Sequence, residues 1–294
     1  MSSLPASATT TAVGRSGARI RDVAFYAVLL VSLGIGLLTL GTLLVDIIAD
    51  GADHVTTRLL TGTPSIDPEI AGAKPAILAT IYIGLLVLGL TVPLGVATAI
   101  YLEEYADKDR WYNRLLEVNI QNLAAVPSIT FGILGLAFIV RGIGLGRVLL
   151  AGALILTLLT LPTVIIAARE AIRAVPDSIR QGGFALGATK WQVIWRQVLP
   201  GAIPGIATGS ILALSRAIGE TAPLILIGAL TYVTFDPTLL GPFTALPIQI
   251  YQWIRLPQSE FKLLAAAAII VLLVILLTMN AVAIIIRNRY QKRW

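Results

Sequence analysis

The sequence has no cysteine and, in 294 residues, a single histidine, His54. Lack of cysteine excludes a disulfide framework, a thiolate metal site and a cysteine nucleophile, and it leaves the redox compartment open. His54 stands in a polar stretch beside Asp50 and Asp53, so it reads as a solvated loop residue. A histidine proton relay or a multi-histidine metal centre has nothing to be built from. Charge is also scarce. Asp, Glu, Lys and Arg together make up 13% of the chain, where an ordinary soluble domain carries about 25%.

What fills the gap is apolar: 56% of the residues are hydrophobic. Several uncharged runs exceed the roughly 20 residues that a helix needs to cross about 30 Å of hydrocarbon. The fold class expected is an all-α polytopic membrane protein. Six transmembrane helices are predicted, at about 23–49, 76–102, 119–140, 148–168, 202–230 and 264–286, and no internal repeat is evident. Residues 1–20, MSSLPASATTTAVGRSGARI, are small, polar and basic and read as a disordered cytoplasmic tail. The apolar run that follows, Val23 to Ala49, is longer than the 7 to 15 residue core of a cleaved signal. Residues 21–294 then form one transmembrane domain.

The net charge of +6 can suggest nucleic acid, but its distribution points to membrane topology. Arg15, Arg19 and Arg21, then Lys108, Arg110 and Arg114, then Arg169, Arg173, Arg180, Lys190 and Arg196, and finally Arg287, Arg289, Lys292 and Arg293 all fall on one side of the six-span scheme. The other side holds Arg58, Lys74, Arg141, Arg147, Arg255 and Lys262. The excess of basic residues places both termini in the cytoplasm, and a nucleic-acid partner is not expected.

Prolines recur inside the spans at Pro93, Pro127, Pro162 and Pro223, each removing a backbone donor and freeing a carbonyl. Pro93 and Pro162 read as ordinary kinks in a packed bundle. Beside Pro127, the hydroxyls of Ser128 and Thr130 either heal the kink or face a pathway.

Residues 169–200 are too polar to span and too patterned to be a plain linker. Asp177 is placed to cap a short helix, and Thr189 with Gln192 makes a T-x-x-Q capping box for a second. On that second helix Trp191, Ile194, Trp195 and Val198 fall at i, i+3, i+4 and i+7, one apolar face. Two partners suit such a face, the lipid surface or a soluble protein beneath the membrane. The glycines of GGFALGATK lack the Gly-Lys-Ser/Thr of a phosphate-binding loop, so the chain is not expected to hydrolyse ATP.

The fifth span carries the string LALSRAIGETAPLILIG (212–228), with a charged pair inside it. Pro200 to Tyr232 is 33 residues, about 50 Å as one helix and more than a bilayer core requires, so part lies outside the core or the helix is broken. A hydrocarbon segment from 205 to 227 puts Arg216 near the midplane, where an arginine costs about 2.5–3.5 kcal/mol on insertion scales. Arg216 and Glu220 are four apart, on one helical face, and can pair. The pair serves either as an internal pin for helix packing or as a station for an oxyanion. In the second role the guanidinium fork binds and the carboxylate limits how tightly, with Gly219, Thr221 and the carbonyl freed by Pro223 close by.

Residues 181 to 200 resemble the EAA loop of ABC importer permeases, with Gly187, Leu199 and Pro200 in register, although Gln181, Gly182 and Gly183 replace Glu-Ala-Ala and Gln197 replaces an isoleucine. With VPSITFGILGLAF, GIATGSILALSRAIGETAPLIL and LPIQIYQW, residues 75 to 290 resemble the phosphate ABC importer permeases of the PstA type. That resemblance implies the type I importer permease (MetI-like) fold. It implies Arg216 and Glu220 on the translocation path, with Thr221, Ser128 and Thr130 added by position. It further implies that Gln181, Ala185, Leu186, Gly187, Ala188, Thr189 and Trp191 dock an ATPase. The partners it implies are a second homologous permease, two ATPase subunits, an extracytoplasmic phosphate-binding protein and membrane lipid, in a prokaryotic plasma membrane. ATP and magnesium would sit on the ATPase, with no cofactor in this chain. Two other readings stay open: a secondary anion transporter with Glu220 as the ion-coupling site, and an ABC permease for another oxyanion. A membrane-embedded enzyme is disfavoured, since the spans hold no histidine, cysteine or spaced carboxylate pair.

Overall fold

In the computed structural model, residues 15–107, 109–229 and 232–290 are described, and among them every regular element is helical. The elements are α1 (Arg15–Gly51), the short α2 (Thr57–Thr61), α3 (Lys74–Ile100) running into a π-helical turn (Tyr101–Tyr105), α4 (Trp111–Ala124), α5 (Ser128–Gly135) with its own π segment (Leu136–Gly142), and α6 (Leu149–Arg173). After them come α7 (Asp177–Ala185), α8 (Lys190–Val193), a third π turn (Ile194–Val198), α9 (Leu199–Gly219), α10 (Ala222–Leu226), α11 (Leu246–Arg255) and α12 (Ser259–Tyr290). The first fourteen residues of the expected tail lie outside the described residues, and α1 begins at Arg15. The chain divides into two compact units, residues 1–49 and 50–294. The first holds most of α1, a single long apolar helix.

Among the described residues, five helices are long and apolar enough to cross a membrane: Arg21–His54, Lys74–Tyr105, Leu149–Arg173, Lys190–Gly219 and Ser259–Arg289. The third expected span differs. Instead of one helix over 119–140, α4 and the Ser128–Gly142 stretch meet at 106°, and a sixth crossing exists only if the bent pair is one span. The cause is Pro127, which stands as N-cap of α5 in an extended conformation and has no amide to carry the α4 ladder onward. The fifth expected span, 202–230, is also interrupted, at Glu220 and Thr221. Pro93 and Pro162, by contrast, lie inside unbroken α3 and α6, as the reading of them as kinks requires.

The second unit is held by close helix contacts. Gly205 and Gly209 of α9 sit against Ala171 and Ala167 of α6 so tightly that a Cβ on either glycine would overlap the facing methyl. This is small-xxx-small packing on both helices, which in lipid substitutes van der Waals contact for the missing hydrophobic drive. Thr91 of α3 and Thr160 of α6 are both buried with hydroxyls 3.3 Å apart. The first turn of α6 receives carbonyls from the loop before α11: the Leu149 and Leu150 amides donate to Gly241 and Leu239 at 3.1 and 3.0 Å, satisfying donors that a helix start leaves free. A second apolar cluster gathers Leu59, Trp253 and Phe261 where α11 meets α12. A third joins Ile172, Val193, Val198 and Ile206 at the foot of α6 and α9.

Candidate functional site

The two charged residues of the fifth span sit where its helix stops. α9 ends at Gly219, and Glu220 is extended (φ −75°, ψ 125°) before α10 starts at Ala222 with Pro223 in its first turn. Proline at 223 cannot donate to the Gly219 carbonyl, and its ring excludes that carbonyl sterically, so the ladder is cut at this point. Arg216 therefore lies in the last turn of a 30-residue helix, Lys190–Gly219, rather than inside one continuous helix over 202–230. Its charge there complements the negative end of the helix dipole. Glu220 does not share a helical face with Arg216 as the spacing suggested. The pair forms nonetheless: Arg216 Nε donates to Glu220 Oε1 at 3.3 Å, with side chains 39% and 17% exposed. A partly open guanidinium with one carboxylate neighbour keeps donors free for a second anion.

Around it the structure places groups that sequence spacing alone cannot bring together. Ser215 Oγ and the Asn280 amide of α12 bond each other, Asn280 Nδ2 donating to Ser215 Oγ at 2.9 Å. This polar pair stands one residue from Arg216. Its sequence signal is the single asparagine in the apolar stretch 264–286 of α12, a residue type that calls for a partner in lipid. Thr221 is the N-cap of α10, its hydroxyl making no cap bond. α5 packs against α10 through Gly132, whose Cβ would lie 2.8 Å from Pro223 Cα. Ser128 is four residues before Gly132 and so on the same face of α5. Both Ser128 and Thr130 occupy the first turn of α5 and are half-buried. Between their two roles at the bend, the break at Pro127 is not healed by a side-chain cap.

Residues 177–193 fold as two short helices with a tight turn between them. Gly187 in that turn has φ +77°, a left-handed conformation that costs other residues roughly 1–2 kcal/mol. The expected capping box is present: the Thr189 amide donates to Gln192 Oε1 at 2.8 Å, and Thr189 Oγ1 accepts from the Gln192 amide. The other cap is different. Pro176 is the N-cap of α7 and Asp177 the first helical residue, its carboxylate turned to Arg180 at 3.1 Å. The single apolar face is also split. Ile194 and Val198 are buried with Val193, while Trp191 and Trp195 stay 52% and 53% exposed, edge to face at 5.4 Å. A π turn over Ile194–Val198 shifts the register on which 3.6-residue spacing relies. Gln181, Ala185, Leu186, Gly187, Thr189 and Trp191 are exposed and Ala188 half-buried, Leu186 reaching 91%. Such a tip suits an intermolecular contact.

An ion network that the sequence concealed ties this segment to the spans. Arg180 of α7 bonds Glu104 at 3.0 Å and also the Ile172 and Val175 carbonyls. Arg169, buried at the foot of α6, reaches Glu103 at 2.9 Å and Glu117 of α4 at 2.7 Å, and Arg173 adds a second contact to Glu103 at 2.7 Å. These partners lie 52 to 76 residues apart in sequence.

A bundle of spanning helices with a charged pair at a helix break, and an exposed two-helix segment at the foot of the same helix, has the construction of a membrane transport permease. The profile for the binding-protein-dependent transport system inner membrane component matches residues 91–293, and the chain belongs to that family. Among curated relatives it is 31% identical over 207 residues to a probable ABC transporter permease protein, YqgI, of Bacillus subtilis, a match spanning 70% of each chain. It is 32% identical to the phosphate transport system permease protein PstA of Yersinia pestis over 85% of this chain and 84% of that one. The match to the phosphate transport system permease protein PstA 1 of Mycobacterium tuberculosis, 36% identical, covers 67% of this chain and 64% of that protein, under two thirds of its length. A chain of a bacterial ABC transporter involved in the import of the acidic polysaccharide alginate superposes with a TM-score of 0.64, at 19% identity, over 95% of this chain and all of that one. A chain of the MetNI methionine ABC transporter superposes at 0.59, with 17% identity, over 74% and 94%. The fold is that of ABC importer permeases, in a multi-pass inner-membrane component.

Proposed function

We propose that this chain is one permease of a two-permease pore that imports inorganic phosphate, driven by ATP hydrolysed on separate subunits. The observation that carries the reading is the Arg216–Glu220 pair at the break after α9, a half-open guanidinium fork whose geometry matches an oxyanion and whose neighbour keeps the grip weak. Support for phosphate among oxyanions comes from the PstA-named relatives. Thr221, Ser128 and Thr130 supply hydroxyls along the path. The exposed tip from Gln181 to Trp191 docks the ATPase, which holds ATP and magnesium, so this chain has no catalytic centre and no cofactor of its own. An extracytoplasmic phosphate-binding protein delivers the anion. Both termini face the cytoplasm, because the basic residues gather on that side.

The test is uptake of radiolabelled phosphate into proteoliposomes holding the complete assembly. Uptake that requires ATP, resists a protonophore and persists in excess sulfate and molybdate is expected. Uptake by this chain alone, collapsed by the protonophore, would establish the secondary transporter with Glu220 as the coupling site. Displacement by sulfate or molybdate would assign another oxyanion. The docking role has its own measurement. Gly187→Val forces a β-branched residue into a left-handed turn, and the amount of ATPase co-purifying with the membrane complex is expected to fall severalfold while the chain still inserts. Unchanged co-purification would remove the turn from the interface.

A further inference from the structure

The cytoplasmic end of the bundle carries a groove that the substrate path does not use and that meets the ATPase-docking tip only at its mouth, through Lys190 and Trp191. One wall is α3 and its π turn, with Val92, Val96, Ile100 and Tyr105; the other is formed by Trp191, Trp195 and Leu199. The space between them is about 530 Å³. Both walls hold eight residue steps, Val92 to Ile100 and Trp191 to Leu199, about 12 Å of helix each. That is close to the roughly 15 Å of hydrocarbon in one leaflet.

The groove is polarised along its length. At its inner end the lining is aliphatic. At the other end Tyr101, Tyr105, Trp191 and Trp195, each about half exposed, form a collar of the kind that marks a membrane interface. Lys190 stands at the mouth, its ammonium 4.9 Å from the Tyr105 ring centroid, and it forms no ion pair among the described residues. Glu103 and Glu104, next along the chain from the tyrosines, are occupied by Arg169, Arg173 and Arg180, so they do not neutralise it. The walls also bear two of the three π turns in the described residues, Tyr101–Tyr105 and Ile194–Val198, a feature that clusters at functional sites.

An apolar slot one leaflet deep, an aromatic collar and a cation at the mouth reproduce in order the acyl chain, interfacial zone and phosphate of a phospholipid. We infer that this groove is a binding site for an anionic phospholipid, with one acyl chain between α3 and the Trp191–Leu199 wall and the headgroup phosphate at Lys190. A soluble partner cannot fill it, because Val92 to Ile100 lie within a candidate membrane span. The inference does not depend on what the permease carries.

The experiment uses the complete complex in nanodiscs containing acyl-dibrominated phosphatidylglycerol or acyl-dibrominated phosphatidylcholine. Contact quenching of Trp191 and Trp195 is obtained as the difference from a Trp191→Phe/Trp195→Phe complex. One lysine near the surface favours an anionic headgroup by about fivefold, and that preference for the glycerol lipid is expected in the unaltered chain. Lys190→Glu should bring the ratio to about one or below. Lys190 is exposed and lies over the Tyr105 ring beside the docking tip, so the ratio of quenching by the two lipids, compared at matched ATPase content, reads the headgroup separately from docking. Ala97→Phe, which fills the slot, should lower quenching by both lipids. Equal quenching by the two lipids in the unaltered complex would overturn the headgroup assignment, as would a Lys190→Glu ratio that does not move. Absence of quenching by either lipid would mean that a protein chain covers the groove, and the lipid site would be rejected.

Discussion

Arg216→Ala in the complete assembly is expected to abolish phosphate uptake, a loss of about 100-fold or more, the scale seen when one member of a functional hydrogen-bonded charge pair is truncated. The substitution takes away the fork and leaves Glu220 facing an incoming anion alone, so attraction turns into repulsion. Arg216→Lys keeps the charge but not the planar donors, and uptake should persist at a reduced rate. Glu220→Gln acts in the opposite sense: without the competing carboxylate the guanidinium binds the anion more tightly, so half-saturation should fall together with maximal rate. Because Arg216 lies in the last turn of α9 and is 39% exposed, none of these changes should prevent insertion, and the ATPase should still co-purify. Normal uptake by Arg216→Ala would take the pair off the path and make it a packing pin.

Arg169→Ala is expected to produce the largest loss of stability in the chain. The side chain is 8% exposed and serves two carboxylates, that of Glu103, itself 5% exposed, and that of Glu117. Deleting one partner of a buried ion pair leaves a buried charge uncompensated and costs about 3–5 kcal/mol. The readout is thermal unfolding of the detergent-solubilised complex, with a drop of many degrees or no recoverable complex. Arg173 remains beside Glu103 and should limit the damage on that side, leaving the α4 contact through Glu117 as the part most disturbed. Replacing Glu103 and Arg169 together by Gln and Met removes both charges and should restore much of the loss. A single Arg169→Ala complex as stable as the unaltered one would show that these pairs are solvated in the membrane-bound state.

Hydropathy made the spanning helices legible wherever a run was apolar and unbroken, as in α3, α6 and α12. It could not see the turn between α4 and α5, because both flanks are apolar enough to be counted as one span and only Pro127 marks the corner. The same blindness hid the end of α9. Arg216 and Glu220 were found as a pair because chain spacing predicts contact within a turn, yet the geometry that joins them is a helix end and an extended residue. Gly187 and the Thr189–Gln192 box were readable because their chemistry is local. The Ser215–Asn280 bond and the Arg180–Glu104 strut were not, since their partners are 65 and 76 residues apart and only tertiary packing joins them. The tryptophan face was misread for a further reason: the pattern assumed 3.6 residues per turn across a segment that winds more loosely.

That looser winding fixes an angle as well as a surface. From Lys190 to Gly219 the backbone is one helix with no joint, so the direction in which Arg216 points is set by the direction in which the foot at Thr189 is held. Each residue along the way contributes about 100°, and the π turn at Ile194–Val198 absorbs a residue that an α turn would have spent on rotation. Removing Gln197 to restore α winding would leave Arg216 nearly in phase with the foot, whereas removing one residue from an α turn of α9 would swing it by about 100°. The segment therefore acts as a phase key: the π turn can take up or release one residue, but a single-residue insertion or deletion in the α turns beyond it turns Arg216 away.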